Sequence, residues 1–121
     1  VIASGNPCIV LASEVDPRTA IVLAETLATS DLPGGVVNIL TGQVKEVLPH
    51  LAKHMEIAAL DLHELEPALA KSVEEAATIN VKRVRTRTLP AADWFDAGKS
   101  ESPRWIERFV EMKTIWHPAG T

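Results

Sequence analysis

Residues able to do chemistry gather in the middle of this chain: His50, His54, Asp61, His63, Glu64 and Glu66, then Lys82, Arg83, Arg85 and Arg87. His50 and His54 have the i, i+4 spacing of a ligand pair on one helix face. No cysteine joins them and no His-Glu-x-x-His pattern occurs, so they read as surface histidines and no metal site is expected. The basic cluster lacks interleaved aromatic residues, and the net charge is −4, so nucleic acid is not an expected partner. Cys8 is the single cysteine and sits in an apolar run. A buried, inert thiol is favoured there over a nucleophile. Ser13 and Glu14 follow that run, and Gly34-Gly35 precedes a second one. Trp94, Trp105 and Trp116 all lie in the last third, suited either to core packing or to an interface.

The elements that must position these residues alternate. Cys8 to Leu11 is a short continuous apolar run, the pattern of a strand covered on both faces. Asp16 and Pro17 open a helix, with Ala20, Ala24, Leu27 and Ala28 at helical spacing. Leu32-Pro33-Gly34-Gly35 turns the chain into a second strand, Val36 to Leu40. Val44, Val47, Leu48 and Leu51 stripe a second helix, which Pro49 should kink. Glu56 to Leu62 reads as a third strand, Glu64 to Ala77 as a third helix and Asn80 to Thr88 as a fourth strand. Alternating arginines place that last strand at an edge or an interface. Ser102-Pro103 looks like a helix start, and Trp105, Phe109, Met112 and Trp116 favour a helix after it, although part of this stretch also alternates as a strand does. The predicted fold is α/β: a doubly wound, Rossmann-like parallel sheet of about four strands in a three-layer α/β/α arrangement.

The run Gly5-Asn6-Pro7-Cys8-Ile9-Val10-Leu11-Ala12-Ser13-Glu14, followed by Asp16-Pro17, resembles the adenosine-binding strand and turn of the aldehyde dehydrogenase superfamily. Asp31-Leu32-Pro33-Gly34-Gly35-Val36-Val37-Asn38 is similar to that family's next strand and its leading turn. The resemblance is good to about residue 55 and then fades. It implies an oxidoreductase that converts aldehydes to acids with NAD or NADP, through a cysteine nucleophile and a water-activating glutamate. It assigns Ser13, Glu14, Gly34 and Gly35 to the cofactor. Leu11 stands where the family carries a ribose-binding lysine. After the third strand the family has Phe-Thr-Gly-Ser and a helix whose amides meet the pyrophosphate. Here that bend is free of glycine and serine and carries Asp61, Glu64 and Glu66, a poor host for a phosphate. No cysteine lies downstream, Arg87 falls near the glutamate position, and no catalytic residue is assigned.

With 46% apolar and 23% charged residues, most of the chain should fold. It divides into 1–89, a nucleotide-binding-like α/β domain incomplete at its start; 90–103, a linker or loop; and 104–121, an aromatic helix or strand suited to oligomerisation. No apolar run is long enough to span a membrane, and a reducing, cytoplasmic location fits the lone cysteine. The chain opens on Val1 inside a strand-like run, so a fragment or one part of a longer protein is expected. The functional expectation is an aldehyde dehydrogenase-like, NAD(P)-dependent oxidoreductase chain that lacks its nucleophile and general base. The alternative is a non-catalytic scaffold of the same fold, without cofactor. Its partners would be further copies or the remainder of a longer chain.

Overall fold

A computed structural model describes residues 1–117. The order is β1 (Cys8–Leu11), α1 (Arg18–Ala28), β2 (Val37–Leu40), α2 (Val44–Lys53), β3 (Ala59–His63), α3 (Pro67–Ala77) and β4 (Arg83–Arg87). A short 3-10 helix (Ala91–Phe95) and two single α-helical turns follow, α4 (Ala97–Ser100) and α5 (Arg104–Glu107). The strand and helix alternation read from the sequence is therefore present, and both strand pairings are parallel.

The single four-stranded sheet is not. β1 pairs with β2 and β3 with β4, as two separate two-stranded sheets. The reason lies in where apolar surface is buried. Leu48 and Ala52 of α2, Leu60 and Leu62 of β3, and Val73 and Ala77 of α3 form one cluster, with Leu65, Leu69 and Val84 packed on it. Each such side chain removed from water stabilises the fold by roughly 1–3 kcal/mol. Of β1 only Leu11 reaches that cluster, and α1 buries no residue at all. Ile9 and Val10, expected to be covered on both faces, are 45% and 38% exposed. The hydrophobic term thus holds β3, β4, α2 and α3 together and leaves the first pair as a lightly attached unit.

Strand alternation gives β3–β4 two unlike faces. Leu60, Leu62 and Val84 point into the core. Asp61 and His63 lie on the other face, opposite Arg85 and Arg87 in the parallel register. No helix of the β/α alternation covers that face. Residues beyond β4 do, so the second helical layer of the expected three-layer fold is replaced there by an irregular segment.

Local chemistry explains the helix ends. Pro67 occupies the first turn of α3, and Glu66 caps it by accepting from the Ala68 and Leu69 amides at 3.1 and 3.2 Å. The helix consequently starts three residues later than the sequence pattern predicts. α2 runs through Pro49. The C-terminal aromatic helix reduces to the single turn α5. Met112 and Trp116 are 93% and 83% exposed, so nothing packs against a longer helix, and unpacked helices of this length do not hold in water. The last four residues of the predicted 104–121 element lie outside the described ones.

Candidate functional site at the carboxyl ends of the strands

Parallel α/β sheets bind ligands beyond the carboxyl ends of their strands. In the first pair that end carries Ser13 and Glu14. Ser13 accepts a weak hydrogen bond from the Asp16 amide at 3.4 Å. The Glu14 carboxylate accepts from the Val44 amide, so it caps α2 from thirty residues away. That contact closes β1 onto the start of α2 and engages one of the two carboxylate oxygens. Gly34 and Gly35 lie at the opposite, amino end of β2, in the turn that feeds it. Gly35 has φ 85°, a left-handed conformation that glycine adopts without strain, and its carbonyl accepts from the Asn38 side chain at 2.8 Å. A Cβ built on either glycine meets nothing within 4 Å. The four residues assigned to a cofactor from sequence are thus split between two ends of the β1–β2 unit.

The second pair ends in a tighter group. Glu64 follows β3 with φ 48°, and its amide donates to the Arg87 carbonyl at 3.4 Å. This is the backbone region that glycine tolerates and other residues enter at a cost of about 1–2 kcal/mol. Two residues on, Glu66 places both carboxylate oxygens on the first free amides of α3. Those amides are the groups with which a helix N-terminus receives a phosphate. A fixed side-chain anion already satisfies them, and Glu64 adds a second carboxylate beside it. The residues at this bend do not fit a pyrophosphate.

Asp61 does not stand as a free charge. Its carboxylate is forked by Arg87, with Nε to Oδ1 at 2.8 Å and Nη2 on Oδ2. The Arg87 guanidinium also lies 4.6 Å from the centre of the Trp105 ring, and Arg108 lies 4.9 Å from the same ring. Burial, and then the nearby Arg108 charge, push the Arg87 pKa below the ordinary arginine range. The Trp105 indole donates to the Lys99 carbonyl at 2.8 Å. His63 stacks obliquely on Trp94 at 5.6 Å. The sequence held only half of this group. Alternation puts Asp61, Arg85 and Arg87 on one face, but the register that brings Asp61 within reach of Arg87 is not visible in one dimension.

The remaining candidates do other work. Lys82, read as part of a basic cluster on an edge or interface strand, is 8% exposed and donates to the His54 carbonyl and to Asn80 Oδ1. His54 Nδ1 accepts from the Glu56 amide. Among the described residues, no group of three His, Cys, Asp or Glu side chains is arranged to hold a metal, and no helix is long and apolar enough to cross a membrane. Cys8 is half-buried at the amino end of β1, away from the strand ends where a ligand would sit.

Comparison with known proteins agrees with the opening motifs. The model of the aldehyde dehydrogenase family matches residues 1–88. Malonate-semialdehyde dehydrogenase 2 of Oceanobacillus iheyensis is 38% identical over 84 residues, which cover 69% of this chain and 17% of that protein. The NADP/NAD-dependent aldehyde dehydrogenase PuuC of Escherichia coli is 32% identical over 97 residues, covering 80% of this chain and 18% of that protein. No solved structure matches the chain. It therefore spans less than a fifth of the length of these two relatives. With the family's two opening motifs carried by β1, β2 and the turns beside them, this chain belongs to the aldehyde dehydrogenase family.

Proposed function

We propose that this chain is the nucleotide-domain portion of an aldehyde dehydrogenase-like, NAD(P)-dependent oxidoreductase, and that by itself it neither oxidises aldehydes nor holds a dinucleotide firmly. The observation that carries this reading is the Glu66 cap on α3, which occupies the amides a pyrophosphate needs. Three further features support it. Glu14 is engaged with the Val44 amide, and Leu11 offers a ribose or phosphate no donor. Arg87, paired with Asp61, stands near the position of a general base and cannot accept a proton at neutral pH. The one thiol, Cys8, lies at the wrong end of its strand.

Activity would then require a nucleophile and a base from elsewhere, either in a longer polypeptide or in an associated active relative. The bare outer surface of α1 and β1 favours such a completion, because Ile9, Ile21, Val22 and Leu23 remain exposed. A second reading, a non-catalytic scaffold of the family, is favoured by the Asp61–Arg87–Trp105 group at the strand ends.

Titrating tryptophan fluorescence with NAD and with NADP tests the proposal. No saturable quenching is expected below millimolar cofactor. Saturation at lower concentration would overturn it. Light scattering addresses assembly, and a clean monomer would count against a self-assembling scaffold.

A further inference from the structure

The arginines of β4 do not face open water as a set. Arg83, Arg85 and Arg87 alternate onto the face of β3–β4 that α2 and α3 leave uncovered. The chain after β4 returns along that face from its carboxyl end to its amino end. At the carboxyl end, Trp94 meets His63, and the Arg87 and Arg108 guanidiniums both lie over the Trp105 ring. At the amino end, Arg83 donates to the Val110 carbonyl at 3.0 Å and pairs with Glu111 at 3.4 Å. Between these two anchorages Arg85 is exposed, and its guanidinium has no hydrogen bond or ion pair among the described residues.

We propose that residues 91–111 are an anion-sensitive strap, which covers an arginine face able to take a phosphate-bearing anion and which such an anion releases. Among the described residues the strap is held by few contacts, and guanidiniums make most of them. Both anchorages rest on guanidiniums, which a multivalent anion binds bidentately and more strongly than a lone carboxylate does. Strap and anion therefore compete for the donors of Arg83, while the donors of Arg87 are held by Asp61 and its guanidinium is stacked on Trp105. The Arg83–Glu111 pair is half-exposed, with the two side chains 42% and 66% accessible, so it opens readily. Arg87 of β4 and Arg108 of the strap lie over one ring and repel each other, which weakens that anchorage. Arg85 supplies a donor that the strap leaves unused. The inference stands apart from the dinucleotide reading, since it concerns the face of β3–β4 rather than the amides of α3.

Limited trypsin digestion of the full chain tests it, read at Lys99, Arg104 and Arg108 within the strap. Inorganic pyrophosphate should accelerate cleavage at these sites several-fold over sodium chloride at equal ionic strength. Arg85→Ala should lose most of that selective acceleration while leaving the rate in chloride unchanged. Equal acceleration by both salts, or none by either, would overturn the proposal, because it would reduce the strap to ordinary charge screening or to a fixed part of the fold. Trp105→Ala gives an independent readout. With the latch gone, cleavage should already be fast without pyrophosphate, and an unchanged rate would also overturn the assignment. NAD binding at the α3 amides would leave Arg85→Ala unaffected, so the two ideas fail separately.

Discussion

The carboxylate of Glu66 sits on the amide of Leu69 at 3.2 Å, at the point where a dinucleotide-binding fold would present that amide to a phosphate. An internal anion occupies that amide. Removing it has two opposed consequences. Glu66→Ala should lower stability by about 1 kcal/mol, the usual cost of a lost helix cap, measured by urea denaturation. The same change should strengthen NAD binding in the fluorescence titration, and Glu66→Gln should do so less, since its oxygen still caps.

The bend before it carries strain that can be relieved. Glu64 is left-handed at φ 48°. Glu64→Gly removes a carboxylate and the strain together, while adding backbone freedom to the unfolded chain worth roughly 0.5–1 kcal/mol. Stability should change by less than about 1 kcal/mol. A large loss on thermal denaturation would show that the Glu64 side chain contributes more than its geometry indicates.

Val81 presents the simpler case. It is β-branched, left-handed at φ 56° and 87% exposed, so its side chain gains little from burial and strains the backbone. Val81→Asn should raise stability by about 1 kcal/mol. A neutral or lowered denaturation midpoint would contradict this account of the turn into β4.

The split core predicts unequal sensitivity along one pattern of apolar strands. Leu62 is 5% exposed within the main cluster, and Leu62→Ala should cost about 2–4 kcal/mol. Ile9→Ser should cost less than about 1 kcal/mol in this chain, because its side chain is 45% exposed. Similar losses at both positions would mean that β1 is buried as deeply as β3.

Alkali should loosen the turn within the strap. The Asp93 carboxylate, hydrogen-bonded to the Lys99 ammonium at 2.8 Å, raises the lysine pKa above its ordinary value. A raised folded value means a contribution that is fully present below the ordinary lysine pKa and fades as pH climbs through the raised one. Near-ultraviolet circular dichroism from the tryptophans should report this alkaline change, and Lys99→Met should abolish it.

Much of the β/α half was legible. A continuous apolar run marked β1, apolar-rich stretches marked β2 and β3, and Leu32-Pro33-Gly34-Gly35 marked the turn between α1 and β2. The start of α3 was misplaced because Glu66 and Pro67 make a cap that overrides the apolar stripe. The split into two sheets was not legible, since the composition of Cys8-Ile9-Val10-Leu11 suits a covered strand whether or not a cover is present. The Asp61–Arg87 fork depends on strand register, and the seat of Trp105 on a chain reversal after β4; neither leaves a periodic trace. The C-terminal aromatic pattern predicted a helix from spacing alone, where Arg83 instead holds Val110 and Glu111 and no surface receives Met112 or Trp116.

Two ladders of two strands leave each strand with one row of amides and carbonyls that no other strand takes up. On β4 the alternating guanidiniums guard that rim, since stacking another chain there would bring like charges together. The rim of β1, Cys-Ile-Val-Leu, has no such guard. Concentrated solutions of this polypeptide should therefore begin to aggregate at β1, and a lysine introduced in place of Val10 should keep them clear.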